Sequence, residues 1–315
     1  MNHLLLGIDI GGTNTALGIV DGEGHVLDSF SVPTRGFPDP KEYVEMLHHE
    51  VSRRFSIHEN IVLKAIGIGA PSTNFYTGVL AHAPNMEWKG EVPIRDLVEA
   101  KFRLPVVVTN DANAAAMGEM KYGAAQAYKD FIMLTLGTGV GSGIVSNGQV
   151  VYGHDGFAGE LGHVIAVRDG RSCGCGRRGC LETYTSATGV VRTIHEMLSN
   201  SVQPSLLRQF NAPTSKDLYD AAVAKDKLAL DIFEFTGRIL GQTLADICAI
   251  TSPEAIVFFG GLSRAGDYIF QPTQFYLEQN LLNLYQGKIK LLHSTLPEND
   301  AAILGAASLV SEYLS

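Results

Sequence analysis

Cys173, Cys175 and Cys180 crowd into one short stretch, and His163 stands ten residues before the first of them. Three thiols and one imidazole make a Cys3His set, the donor complement that structural Zn2+ takes in tetrahedral geometry. Gly174, Gly176 and Gly179 allow tight loops around an ion. The C-x-C spacing is tighter than that of common zinc fingers, and four protein ligands leave no open position, so the metal expected here is structural. Reduced cysteines buried in a Gly-rich loop are the alternative. A disulfide framework is not expected, because such cysteines spread to close long loops, and the fourth, Cys248, stands alone. If one ring nitrogen of His163 binds metal, the other is left to donate to a ligand hydroxyl in a fixed direction. Glu160 and Glu182 flank the set and are suited to accept hydrogen bonds from neighbouring hydroxyls, although surface ion pairs are the commoner fate of such residues.

Asp9, followed by Gly11, Gly12 and Thr13, is a carboxylate beside a turn of small residues. Glycine lets backbone N–H groups approach phosphate oxygens, and a carboxylate at that point reaches a Mg2+ ion through its waters. A plain hairpin with a solvent-facing Asp also fits. A second turn, Gly137-Thr138-Gly139, repeats the pattern. Two such hairpins suit a polyphosphate gripped from both sides. Asn110-Asp111 precedes an Ala-rich run, where Asn and Asp are good helix caps. Its functional reading is that Asn110 binds a hydroxyl and Asp111 accepts the proton of the attacking one. The helix N-terminus would keep Asp111 ionised and weakly basic. Gly260-Gly261, with Leu262 and Ser263 behind them, suit either a close approach to a nucleoside or a simple turn.

The elements that must hold these residues read as alternating strands and helices. Leu4 to Ile10 is a buried strand and Ala16 to Val20 a returning one, so the first motif is strand–turn–strand rather than the strand–loop–helix of a dinucleotide-binding unit. Tyr43 to Phe55 is helical in period, Ile61 to Gly69 and Leu104 to Thr109 are strands, and Ala112 to Met120 is a helix. Phe131 to Val145 is a second strand–turn–strand whose tail also matches the first, a pattern of a duplicated lobe or of two ordinary Gly-rich hairpins alike by chance. Ser186 to Ile250 is mostly helical, Ala255 to Phe259 is a strand, and Ala301 to Leu314 closes as a helix.

With 45% hydrophobic and 18% charged residues among 315, the chain has material for a sizeable core and for two lobes. A net charge of −9 argues against broad binding to nucleic acid or anionic membranes. No apolar run reaches the length of a membrane span, and the N-terminus lacks the basic start of a secretory signal, so a cytoplasmic location is expected.

Together these motifs resemble the ROK family of bacterial sugar kinases and related repressors. The first phosphate motif matches from Gly7 to Thr13 and continues to Asp21, the second matches Leu136 to Gly139, and the sugar motifs match Asn110-Asp111 and Glu160 to His163. The cysteine motif matches from Cys173 to Glu182 at every fixed position, and Pro84-Asn85-Met86-Glu87-Trp88 resembles a sugar-contacting stretch with one residue fewer before the Trp. The resemblance implies an α/β, two-lobed actin/hexokinase (ribonuclease H-like) fold with duplicated lobes around a central cleft. One lobe is expected at 1–120 plus 301–315 and a larger one at 121–300. It implies ATP with Mg2+ as phosphoryl donor and a homodimer or homotetramer. It makes Asp111 the catalytic base and gives Asn85, Asn110, Glu160, His163 and Glu182 to the sugar. His163, Cys173, Cys175 and Cys180 go to zinc. Asp9, Gly11, Gly12, Thr13, Gly137, Thr138, Gly139, Gly260 and Gly261 go to Mg·ATP. The expected reaction is phosphorylation of the 6-hydroxyl of a hexose. The intact cysteine motif disfavours fructose, and the run Glu182 to Ala187 is most similar to glucokinases. Ala70-Pro71-Ser72-Thr73 departs from many of them, which carry Gly after Pro, and keeps N-acetylglucosamine or N-acetylmannosamine in play. A repressor would need a DNA-binding segment ahead of Gly7, where there is no room, so no nucleic-acid partner is expected. A sensor without activity would be free to lose Asp9 or Asp111, and both are present.

Overall fold

The computed structural model describes residues 2–55, 61–81, 86–297 and 300–314. The chain forms two compact units, Met1–Ala127 with Gly148–Ala158 and Thr295–Ser315, and Tyr128–Asn147 with Gly159–Ser294.

In the first unit, strand β1 (Asn2–Ile10) turns back into β2 (Asn14–Val20), and β2 pairs with β3 (Val26–Pro33), all antiparallel. After helix α1 (Pro40–Phe55), β4 (Ile61–Gly69) lies parallel to β1. Helix α2 (Ile94–Phe102) and strand β5 (Val106–Thr109), parallel to β4, follow, and helix α3 (Asp111–Tyr122) starts two residues after the strand ends. Register decides what meets at the sheet edge. Asp9 lies opposite Gly69, and Gly69 lies opposite Thr109. The Asp9 carboxylate and the start of α3 therefore emerge at the carboxyl ends of parallel strands, where open α/β sheets bind ligands.

One face of this sheet packs Leu6, Ile8, Ile66 and Ile68 against Tyr43 and Leu47 of α1 and Val98 of α2. The other face carries glycine where the alternation puts Gly7 and Gly67. A Cβ on Gly67 would fall 1.8 Å from the Ala306 carbonyl oxygen, and one on Gly7 would fall 2.2 Å from that of Ile303. The backbone of the helix Ala301–Ser308 thus lies directly on the sheet. The same helix crosses α3 at Gly305, where a Cβ on Gly118 would stand 2.9 Å from the Gly305 Cα.

The second unit repeats the plan. Strands β6 (Phe131–Leu136) and β7 (Val140–Ser146) form an antiparallel hairpin. Strand β8 (Ala255–Phe259) lies parallel to β6, and β9 (Lys290–His293) lies parallel to β8. The α/β architecture with a duplicated hairpin-plus-parallel-strand sheet agrees with the reading of the two glycine turns. The helical stretch is divided into α4 (Glu182–Thr185), α5 (Ala187–Asn200), α6 (Ser215–Val223) and α7 (Lys227–Thr251). Each of the last three begins at a side-chain cap, from Ser186, Thr214 and Asp226 respectively. The buried α7 packs on α8 (Asp267–Asn280), which contains Pro272. A Cβ on Gly237 would sit 2.7 Å from the Pro272 side chain, so the two helices meet where one has no side chain and the other a rigid ring. No helix among the described residues is long and apolar enough to cross a membrane.

Gly67→Ala should lower stability by about 3 kcal/mol or more, because the added methyl meets backbone that cannot step aside. Gly22→Ala, whose Cβ would make an ordinary 3.5 Å contact with Leu314, should stay within about 0.5 kcal/mol. Urea unfolding of the two variants checks the difference. Equal midpoints would mean that the helix is not seated on the sheet backbone.

Candidate functional site

The first unit collects two carboxylates. Gly69 stands between them: a Cβ there would lie 3.6 Å from Asp9 Oδ1 and 3.7 Å from the Asp111 Cα. Burial pushes the Asp9 carboxyl up to about 7, and the nearby charge of Asp111 adds to the rise. Burial also raises Asp111, against the opposing pull of the amides of Ala112 and of Asp111 itself. Its position at a helix start suggests a weakly basic Asp111. In the structure desolvation outweighs the helix amides, so the group is a better proton acceptor than its position alone implies. Asp111 keeps solvent-accessible surface while protein atoms displace much of its hydration.

Asn110 is the helix cap. Its side-chain oxygen accepts from the Ala112 N–H at 2.9 Å, and Asp111 Oδ1 shares that donor at 2.8 Å. Capping fixes the Asn110 carboxamide and leaves its nitrogen as the donor available to a ligand. In the Gly11-Gly12-Thr13 turn, Gly11 N–H bonds to the Asn14 carbonyl at 3.0 Å. The Gly12 carbonyl accepts from Arg35 Nε at 3.1 Å, and that of Thr13 from the Thr34 N–H at 2.9 Å. With the Gly11 N–H engaged, the N–H groups of Gly12 and Thr13 are what the turn can offer a phosphate. Below it, the buried Thr15 hydroxyl joins Thr34 at 2.8 Å and the Tyr43 hydroxyl at 2.6 Å. Asp21, at the far end of the motif, folds the next turn by accepting from the N–H groups of Glu23 and His25. Asn85 lies outside the described residues. Trp88, three residues on, is buried with its Nε1 donating to the Phe37 carbonyl at 2.8 Å and its ring 4.8 Å from that of Tyr43.

The second unit collects the expected metal ligands. The ligand atoms of His163, Cys173, Cys175 and Cys180 all lie within 4.8 Å of one another. Cys175 Sγ is 3.6 Å from Cys180 Sγ, and Cys173 Sγ is 3.6 Å from His163 Nδ1. Zn–S bonds of about 2.3 Å in a tetrahedron give edges of roughly 3.8 Å, so the spacing fits an ion of that kind. Burial pushes the thiols of Cys173 and Cys180 up, a cost that a cation among them would remove. Glu182 touches this set, with Oε1 3.1 Å from Cys173 Sγ, and its Oε2 lies 2.9 Å from where a Gly139 Cβ would be. It spans from the cysteines to the second glycine turn.

That turn is tied to the start of α5. The Gly137 carbonyl accepts from the Ala187 N–H, and the Thr138 carbonyl from the Thr188 hydroxyl, both at 2.8 Å. Gly260, at φ 96°, passes so close to the end of β6 that a Cβ would stand 2.8 Å from the Leu136 carbonyl oxygen. The Gly260-Gly261 loop and the Gly137–Gly139 turn are therefore neighbours. Exposed Glu160 and half-buried His163 mark the two ends of a single 3-10 turn, closed by the His163 N–H on the Glu160 carbonyl at 3.1 Å.

Sequence reasoning passed over Arg171. Its buried guanidinium reaches the carbonyls of Thr183 at 2.6 Å and Gly189 at 3.0 Å, the Thr193 hydroxyl at 2.9 Å and Glu196 at 3.0 Å, and lies 4.5 Å over the Tyr184 ring. It fastens the cysteine loop to α4 and α5. Nothing in spacing separates it from Arg168, Arg177 and Arg178 around it.

The sequence profile of the ROK family matches residues 5–313. The chain belongs to the ROK family. The glucokinase of Halalkalibacterium halodurans is 35% identical over 314 residues, 98% of this ROK chain and 94% of that protein. A ROK glucokinase from Streptomyces griseus, solved in complex with glucose and AMPPNP, is 35% identical, superposes with a TM-score of 0.77, and is covered over 98% of its length by 97% of this chain. A ROK transcriptional regulator, a homologue of the E. coli MLC protein, gives a TM-score of 0.89 at 25% identity over all of this chain and 79% of its own. The fold is that of the ROK sugar kinases, actin/hexokinase-like.

Cys175→Ser should leave the purified protein with well under one zinc per chain by elemental analysis. Full zinc in that variant would remove Cys175 from the ligand set.

Proposed function

We propose that this ROK protein is a glucokinase that transfers the γ-phosphoryl group of ATP to the 6-hydroxyl of glucose. The observation that carries the reading is the meeting of Asp9 and Asp111 at one sheet edge, in a chain about one third identical to glucokinases along almost its whole length. A second reading, an N-acetylhexosamine as acceptor, draws on Ser72. That residue holds φ 52°, a conformation that favours glycine, in the segment that departs from the glucokinase pattern.

In the proposed reaction Asn110, Glu160, Glu182, the free nitrogen of His163 and Asn85 hold the sugar. Asp111 accepts the proton of the 6-hydroxyl as its oxygen bonds to the γ-phosphorus and the bond to the departing ADP oxygen breaks. Its burial-raised basicity suits that task. The Gly11–Thr13 and Gly137–Gly139 turns present N–H groups to phosphates, and Gly260-Gly261 leaves room for adenosine. A bound Mg2+ supplies charge neutralisation on the phosphates, and Asp9 would hold it. His163, Cys173, Cys175 and Cys180 would hold Zn2+, which would lend their loop rigidity and so fix the directions of His163 and Glu182. A cytoplasmic location belongs to the same proposal, as does self-association into dimers or tetramers, which rests on the family resemblance.

An ADP-release assay with Mg·ATP and glucose, N-acetylglucosamine, N-acetylmannosamine, mannose and fructose tests the reading. Preference for glucose is expected, preference for an N-acetyl sugar moves the assignment to the second reading, and silence from folded, zinc-replete protein removes both. Asp111→Asn should lower kcat by about a thousandfold while glucose binding changes by less than about threefold. Near-normal turnover would take Asp111 out of the chemistry. The raised Asp9 pKa gives a separate expectation. The ligand-free carboxyl is about half protonated at pH 7, and a cation beside it requires the ionised form. Binding of Mg·ADP at pH 7 should release about half a proton and tighten as pH rises toward 8. Calorimetry in buffers of different ionisation enthalpy reads this directly. Heats independent of buffer would show that Asp9 does not titrate on binding.

A further inference from the structure

Ser142 occupies β7, the second strand of the Gly137–Gly139 hairpin, and is 6% exposed. A hydroxyl in such a place costs free energy unless its hydrogen bonds are made, and here they are made to one target. It donates to the Gly159 carbonyl and accepts from the Leu161 N–H at 3.1 Å. Those two residues bracket Glu160. The Leu161 N–H also reaches the Gly159 carbonyl at 2.8 Å, so the hydroxyl completes a closed ring of hydrogen bonds around the backbone that carries Glu160.

The turn has little freedom once this ring is closed. Gly159 sits at φ 98°, and a Cβ on Gly162 would fall 2.1 Å from the Val140 carbonyl oxygen, so the turn lies flat on the same strand. His163 follows at once, its N–H closing back on the Glu160 carbonyl at 3.1 Å and its Nδ1 facing Cys173. The cysteine set holds the His163 end of the turn. At the Gly159 end, the Ser142 side chain is bonded to the backbone on both sides of Glu160.

We propose that Ser142 is a positioning residue for Glu160: it locks the Glu160–His163 turn onto the strand of the second glycine hairpin and so sets the direction from which Glu160 meets a sugar hydroxyl. The inference rests on the kinase reading. Without the hydroxyl the turn stays anchored at His163 and loosens at Glu160, so the sugar site suffers and the metal set does not. The Gly137–Gly139 turn itself keeps its ties to Ala187 and Thr188, and the nucleotide site is spared.

Ser142→Ala should raise the KM for the preferred sugar about tenfold or more, a displacement of the kind that costs large factors in rate, and leave the KM for ATP within about twofold. Zinc content should stay at one per chain, and the Leu161 amide should exchange with solvent faster than in the parent. An unchanged sugar KM, or equal rises in both KM values, would overturn the proposal, the latter by showing general loosening of the unit. Ser142→Cys, similar in size with a weaker donor, takes the place of the alanine form if that form does not fold, and should show the same split. Failure of the kinase reading looks different. The parent would then turn over no sugar at all, and amide exchange at Leu161 together with zinc content in the variant would still decide the positioning role, slow exchange at Leu161 refuting it.

Discussion

Two carboxylates placed side by side repel, and burial makes each charge dearer still. The first unit is built to keep Asp9 and Asp111 together regardless. Asp9 is fixed by the register of β1 against β4, and Asp111 by its start at the helix that follows β5. Neither strand nor helix could hold that spacing alone. The helix Ala301–Ser308 touches all three elements through backbone, at Gly7, Gly67 and Gly118, where side chains would have left slack. Bare backbone contact leaves few alternative rotamers, and a site that depends on the distance between two like charges needs that stiffness. The cost appears as the raised Asp9 pKa, which is strain that a bound cation relieves.

The second unit solves a different problem with the same topology. Its candidate residues lie on short turns and at the start of α4, held by hydrogen bonds from distant side chains rather than by strand register. Glu182 reaches from Cys173 to the space beside Gly139, Arg171 bolts the cysteine loop to two helices, and Ser142 holds the turn of Glu160. A loop fixed at several points by charged and buried groups approaches the rigidity of a strand while keeping its side chains directed outward. The duplicated sheet thus supports two styles of positioning, register in one unit and cross-linking in the other.

What could be read from the chain follows from this division. The glycine turns, the strands β1, β4, β6 and β8 and the gathering of His163 with the three cysteines were legible because local chemistry dictates them: apolar runs, turn glycines and the spacing of like side chains. The structure agrees on the duplicated sheet. The strand read from Leu104 begins at Val106, and the helix read to Leu314 ends at Ser308, continuing as a 3-10 turn. Strand β3, an edge strand exposed along half its length, and α8, with Pro272 inside it, were not legible. A proline speaks against a helix locally, and only the glycine opposite it on α7 shows why it is tolerated. Arg171 and Ser142 escaped for the same reason. Their importance lies in partners far along the chain, and neither residue type nor spacing records a long-range hydrogen bond.

Fold similarity by itself does not choose between a kinase and a regulator. A transcriptional regulator of the family superposes with a higher TM-score than the Streptomyces griseus glucokinase, although its identity is lower. Function must then be argued from the groups that each role requires. Recognition of a sugar needs only side chains that bind hydroxyls, the role proposed for Asn110, Glu160 and Glu182, and a binding protein can keep them all. Phosphoryl transfer adds two demands that binding does not: a carboxylate basic enough to take a proton, and a second one suited to a cation beside the phosphates. In the proposed reaction those demands fall on Asp111 and Asp9: burial raises both carboxyls, which helps Asp111 take a proton and leaves Asp9 to be ionised by the cation that would bind beside it. Keeping two mutually repelling, partly desolvated carboxylates at one sheet edge is a standing cost to stability. A sugar sensor gains nothing from that cost. A kinase does, and the presence of the pair is the physical reason to prefer catalysis over recognition alone.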